Sequence, residues 1–298
     1  MPISQEILRE INAANQPPNN IVKAVDLVRR KYLAQLAAVL NKPVIIYAAN
    51  FNHPNSAISL DDVHSFMSMC CGLNKKEVAI LIHTPGGAIN AIEALVKYIR
   101  TQFNSVDAIV PMYAFSAGTM WCCACENIYM GKNSFLGPID PQIPFLRNDK
   151  QFIPTPAQAV IDTFEAAKKD STKNIQNLNA YNPILMQYAP ALVTICRNAV
   201  TRSKILVKNW LQQYHHLAQK DATGISNWLG QHNKHKDHGR PLSITDLNTK
   251  GMNILALEDN QQLQDAALSL YHAIDYSFAV TNASKIIENT ANVYIVKQ

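Results

Sequence analysis

Four short apolar runs constrain this chain most: Val44-Ile45-Ile46-Tyr47-Ala48, Val78-Ala79-Ile80-Leu81-Ile82, Ala108-Ile109-Val110 and Ile128-Tyr129-Met130. None carries a charge, none alternates polar with apolar, and each is too short for a buried helix. Such runs read as strands buried on both faces. Residues 21–40, 59–71, 88–103 and 117–125 show helical signals instead. The clearest is 88–103, with Ile89, Ile92, Leu95, Val96 and Ile99 three and four apart. Ser59-Leu60-Asp61-Asp62 resembles a capping box at a helix start, and Gly72 suits a helix end. Alternating strands and crossover helices predict an α/β fold around a parallel sheet, βαβαβαβ in order. Ligand sites of such sheets lie beyond the carboxyl ends of the strands.

Two glycine turns fall at that edge. Leu81-Ile82-His83-Thr84-Pro85-Gly86-Gly87 runs from a strand into a helix start. Tyr113-Ala114-Phe115-Ser116-Ala117-Gly118-Thr119-Met120 does the same and places one hydroxyl within the uncharged stretch 108–125. Helix starts leave backbone N–H groups unpaired, and their dipoles favour an anion. A serine there has the setting of an activated nucleophile beside part of an oxyanion hole. The two turns together suggest one site built from two loops.

The chain has 298 residues, 48% hydrophobic and 16% charged, enough for a large core and too apolar for disorder. A net charge of +5 is spread along the sequence without a basic stripe, so no nucleic-acid partner is expected. The stretch 108–125 is broken by Pro111, Ser116, Gly118 and Thr119, and reads as strand, turn and helix rather than a membrane span. No leader peptide is read at the start, and a cytoplasmic location is expected. Cys70, Cys71, Cys122, Cys123, Cys125 and Cys196 read as reduced, buried thiols, with Cys122 and Cys125 lacking the second pair a metal site needs. The second half is more helical, over 157–169, 190–217 and 259–275. A polar loop at 231–240 is followed by a short helix at 244–247 and a strand at 254–257.

Three blocks in order carry a family resemblance: His83-Thr84-Pro85-Gly86-Gly87, then Ala114 to Met120, then Leu136-Gly137-Pro138-Ile139-Asp140-Pro141-Gln142. They resemble the serine dehydrogenase proteinase family, a group of ClpP-class serine peptidases near signal peptide peptidase A. The turn around 238–257 is also similar. The resemblance implies a ClpP/crotonase-like spiral of parallel βαβ units with added helices, peptide-bond hydrolysis, a peptide or protein substrate, a homo-oligomer and no cofactor. Surface association with a membrane is compatible with it but not expected. It divides the chain into an N-terminal helical segment (1–42), a peptidase domain (43–258) and a C-terminal helical extension (259–298).

Carried over residue by residue, Ser116 matches the nucleophile, and Gly86 and Gly87 the glycine pair at the oxyanion, with the Ala117 N–H as second donor. His83 and Asp140 are further candidates. The block that carries a catalytic His in the Clp protease subunit has none here, between Leu136 and Gln142. Signal peptide peptidase A instead uses a Ser–Lys dyad, so the expected base is Lys169, with Lys168 as alternative and Lys204 and Lys208 as other candidates. Lysine serves as a base when burial depresses its pKa.

His232, His235 and His238 share an H-x-x-H-x-x-H spacing in the polar loop. They read as a solvated basic stretch rather than a metal site, because Lys234, Lys236 and Arg240 oppose a cation. Two other readings stay open: an acyl-CoA enzyme of the crotonase fold, and a non-catalytic peptide-binding scaffold.

Overall fold

The computed structural model describes residues 4–17, 20–73, 75–146, 150–291 and 293–297. Two helices, α1 (Ser4–Ala14) and α2 (Ile21–Leu40), lead into β1 (Val44–Ala49). Then follow α3 (Asp61–Cys70), β2 (Glu77–His83), α4 (Ile89–Gln102), β3 (Ser105–Val110), β4 (Tyr113–Ala114), α5 (Ala117–Cys122), β5 (Ile128–Met130) and β6 (Phe135–Leu136). A hairpin, β7 (Gln142–Leu146) and β8 (Phe152–Pro156), opens a helical stretch: α6 (Ala157–Lys173), α7 (Leu178–Leu185), α8 (Leu192–Gln213), α9 (Gln219–Leu229) and the single turn α10 (His232–His235). The chain ends with α11 (Ile244–Asn248), β9 (Ile254–Ala256), α12 (Gln261–Val280), β10 (Lys285–Asn289) and β11 (Tyr294–Lys297).

The main sheet has the order β11-β10-β1-β2-β3-β5-β9. β1, β2, β3, β5 and β9 run parallel, and β10 and β11 add an antiparallel edge. The apolar runs form strands because each has a greasy layer on both sides. In β1, Ile45 and Tyr47 face the core with α3, α4 and α5, whereas Val44, Ile46 and Ala48 face α1, α2 and α12. Side chains two apart share a face, so a strand covered on both faces must be apolar throughout.

Residues 259–298, expected as helix, are helical only through Val280 and then return as two strands. Lys285 and Glu288 hide the strand from a hydropathy reading, yet both are buried because each has partners. Glu288 accepts from Arg29 Nε at 2.6 Å and Arg30 Nε at 2.9 Å, tying β10 to α2. The Lys285 ammonium reaches Asp62 at 2.9 Å, and Asp62 also accepts from Tyr47 and Lys297. Buried charges persist where they are paired. All six cysteines are free, and Cys71 is exposed rather than buried. No helix among the described residues is long and apolar enough to cross a membrane.

Candidate active site

Ser116 closes β4 and caps α5. Its φ of +53° and ψ of −114° lie outside the regions an L side chain adopts without strain. The surroundings hold it there. Thr84 N–H donates to Tyr113 C=O at 2.9 Å, and Phe115 N–H donates back to Thr84 C=O at 3.0 Å, so the two glycine turns are pinned side by side. Thr119, fully buried, donates from its hydroxyl to Ala114 C=O at 2.8 Å and accepts from Gly137 N–H at 2.9 Å. This single side chain joins the serine turn to the third sequence block. Its role was not legible in the sequence, where a threonine one turn into an apolar helix looks like filler.

Gly86 stands against the serine. A Cβ there would lie 2.7 Å from both Phe115 O and Ser116 Cβ, and its φ of +102° suits glycine. Gly87 runs beside Ile58, whose N–H donates to Gly86 C=O at 2.7 Å and whose C=O accepts from Ala88 N–H at 3.0 Å. Both ladder bonds pass through the neighbours of Gly87, so its own N–H points away from Ile58. Neither that N–H nor the Ala117 N–H has a hydrogen-bond partner among the described residues. Both glycines line a cavity of about 800 Å³ with Ser116, Met120, Ile139 and His238.

His238 arrives there by tertiary closure. Leu136 and Leu242 exchange two backbone hydrogen bonds, at 3.1 and 2.9 Å, and Ile139 N–H donates to Leu229 C=O at 3.0 Å. These contacts fix both ends of the 230–241 loop over the third block. His238 Nδ1 then sits 2.8 Å from Asp140 Oδ1, and His232 Nδ1 2.9 Å from Asp140 Oδ2. His235 turns away to donate from Nε2 to Trp228 C=O at 2.7 Å. Most of the loop is exposed, as its polarity predicts, but its three histidines are turned inward. Its histidines are spent on a buried carboxylate and a carbonyl, and no group of three metal-ligating side chains occurs among the described residues.

Asp140 is buried. Burial alone would raise its carboxyl pKa, but the hydrogen bonds and charges of His238 and His232 outweigh that and hold it below the usual carboxylate value. An ionised carboxylate only accepts, so His238 Nδ1 carries a proton, and whenever the imidazole is neutral the lone pair is on Nε2. That is the tautomer a general base needs.

The lysines lie elsewhere. Lys168 and Lys169 are exposed on α6, and neither they nor Lys204 and Lys208 on α8 line the cavity of Ser116. Lys204 instead packs over Gly230. The fold thus brings together Ser116, Gly86, Gly87, Ala117 and Asp140 of the expected residues, adds His238, and leaves the lysines outside. The sequence signal for His238 was its place beside Gly239-Arg240-Pro241-Leu242, in the fourth similar block.

His83 is not in this cavity. It is buried behind the turn, where its Nδ1 accepts from Tyr113 N–H at 3.4 Å. Desolvation drives its imidazole down to about 4 from an ordinary 6.5, against the smaller upward pull of that hydrogen bond. The unfolded chain therefore binds a proton between those values that the folded one refuses, so stability falls as pH drops from 6.5 towards 4. The share from His83 is about 3 kcal/mol. His83→Asn keeps an acceptor near the Nδ1 position and cannot titrate. Urea unfolding at pH 7 and pH 4.5 should show a smaller acid loss in this variant than in wild type; equal losses would refute the assignment.

The profile of a family described as ClpP-like SDH-type serine proteinase matches residues 58–259. An uncharacterized protein of Methanocaldococcus jannaschii is 32% identical over 129 residues, 41% of this chain and 45% of that protein. A second from the same organism is 38% identical over 66 residues, 22% of this chain and 23% of that protein. The chain thus spans less than half the length of these curated relatives. Among solved structures, a membrane-bound stomatin-specific protease is 15% identical with a TM-score of 0.42, covering 70% of this chain and 79% of that one. ClpP1 from Listeria monocytogenes is 14% identical with a TM-score of 0.41, covering 78% and 97%. Because the family profile takes in more than half of the chain, from the strap beside Gly87 to the turn after β9, the protein belongs to the ClpP-like SDH-type serine proteinases.

Proposed function

We propose that the protein is a serine endopeptidase in which Ser116 is the nucleophile, His238 the general base and Asp140 its orienting carboxylate. Ser116 Oγ attacks a peptide carbonyl and passes its proton to His238 Nε2. The oxyanion that forms is held by the N–H groups of Gly87 and Ala117, both free to donate. Removing one such donor typically costs about 10²–10³ in rate. The imidazolium, steadied by Asp140, returns the proton to the leaving amine, and water then hydrolyses the acyl ester by the same route. The observation that carries this reading is the 2.8 Å contact that sets His238 against Asp140 on the wall of the Ser116 cavity. It replaces the Ser–Lys dyad expected from signal peptide peptidase A.

A peptide or protein is the substrate in this reading, and the cytoplasm its expected setting. A homo-oligomer is supported by large apolar side chains left in water on β8 and in the helical stretch, Phe152, Ile175 and Met186 among them. The acyl-CoA reading draws no support from the cavity, because Asp140 is already committed to two histidines.

Labelling with a fluorophosphonate and intact-mass analysis tests the proposal. One adduct per chain is expected, mapped to Ser116 and absent from Ser116→Ala. A folded wild-type protein that takes no adduct would overturn it.

A further inference from the structure

A second cavity, of about 360 Å³, opens where β1 and β2 end against α12. It shares no wall residue with the Ser116 cavity. Five rings line it: Phe51, His83, Tyr113, Tyr271 and Phe278. Four of them form a continuous cluster around His83, whose ring centroid lies 4.7 Å from Phe51, 5.1 Å from Tyr271 and 6.0 Å from Tyr113. The charged group on the wall is the carboxylate of Asp275, on the exposed side of α12. Among the described residues Asp275 makes no ion pair, and no lysine or arginine lines the cavity.

We propose that this cavity binds an organic ammonium group. Aromatic faces carry negative charge density and attract a cation, the more so when water is kept from them. Asp275 supplies the net charge that a purely apolar hole would lack, and it acts on the same wall, since its field helps to raise the Tyr271 phenol after burial has done most of that work. His83 would spoil such a site if it were protonated. Its burial keeps the imidazole neutral near pH 7, so it serves as a ring and not as a competing cation. Anions are disfavoured by Asp275 and by the ring faces. The same chemistry could come from a lysine side chain of a peptide or from a free quaternary amine.

The probe is choline, titrated into the full chain by calorimetry at matched ionic strength. Its uncharged isostere, 3,3-dimethylbutan-1-ol, has the same shape. Choline is expected to saturate at one per chain, with the alcohol at least about tenfold weaker. Asp275→Asn, which alters an exposed side chain, should weaken choline by about tenfold, and Tyr271→Leu should weaken it too. N-acetyl-lysine amide competing with choline supports the site and assigns a peptide source; choline binding without that competition supports it and assigns a free amine. Equal binding of the alcohol, unchanged binding by Asp275→Asn, or no saturable choline binding would each overturn the proposal.

Discussion

His238→Ala is expected to lower peptide hydrolysis, and the rate of fluorophosphonate capture by Ser116, by roughly 10⁴- to 10⁶-fold. In the proposed mechanism the neutral imidazole accepts the Ser116 proton, so without it Ser116 must lose that proton to water. Asp140→Asn should cost about 10⁴-fold by a different route. The carboxamide can donate to His238 Nδ1, which moves the imidazole proton to Nε2 and points an N–H at the serine. Residues that act as one unit do not add, so Ser116→Ala combined with His238→Ala should be no slower than either alone. Lys168→Ala and Lys169→Ala, on the exposed face of α6, should leave the rate unchanged. A His238→Ala enzyme within tenfold of wild type, together with a dead lysine variant, would return the base to α6.

Gly87→Ala is the second large effect. The added methyl would overlap the backbone N and O of Ile58, and backbone atoms cannot swing aside as a side chain would. The strap and the turn must separate, and the Gly87 N–H leaves its place at the oxyanion. We expect kcat to fall by about 10²–10³ with KM changed far less, because the lost hydrogen bond belongs to the transition state. Thermal unfolding of the same sample separates this from simple loss of fold. A folded Gly87→Ala protein with wild-type kcat would remove Gly87 from the oxyanion hole. Gly86→Ala should harm folding as well, since it places an L side chain at φ +102° with its Cβ against Ser116.

The strands that were legible are those walled almost entirely by apolar side chains. Val44–Ala49, Glu77–His83 and Ile128–Met130 sit between two greasy layers, and that environment leaves its mark residue by residue. β10 was missed for the opposite reason. Lys285 and Glu288 are buried, but their compensation comes from Asp62, Arg29 and Arg30, more than 200 residues away. The β7–β8 hairpin was missed because Pro144, Pro154 and Pro156 read as breakers, although prolines are tolerated in a two-stranded arm with free edges. The start of β3 at Ser105 was missed because Asp107, buried against Lys42 and Asn127, looks like a loop residue.

By itself, the sequence determined the parallel sheet, the two glycine turns and the serine in the second of them, because helix starts, glycine turns and apolar runs are local events written within a few residues. The base proposed for Ser116 came into view only in the tertiary structure. Asp140 and His238 are 98 positions apart and meet only because Leu136 pairs with Leu242 and Ile139 with Leu229. A lysine and a histidine look equally polar in a sequence; which one reaches the serine depends on how a loop closes, and loop closure is governed by contacts between segments that carry no mark of each other.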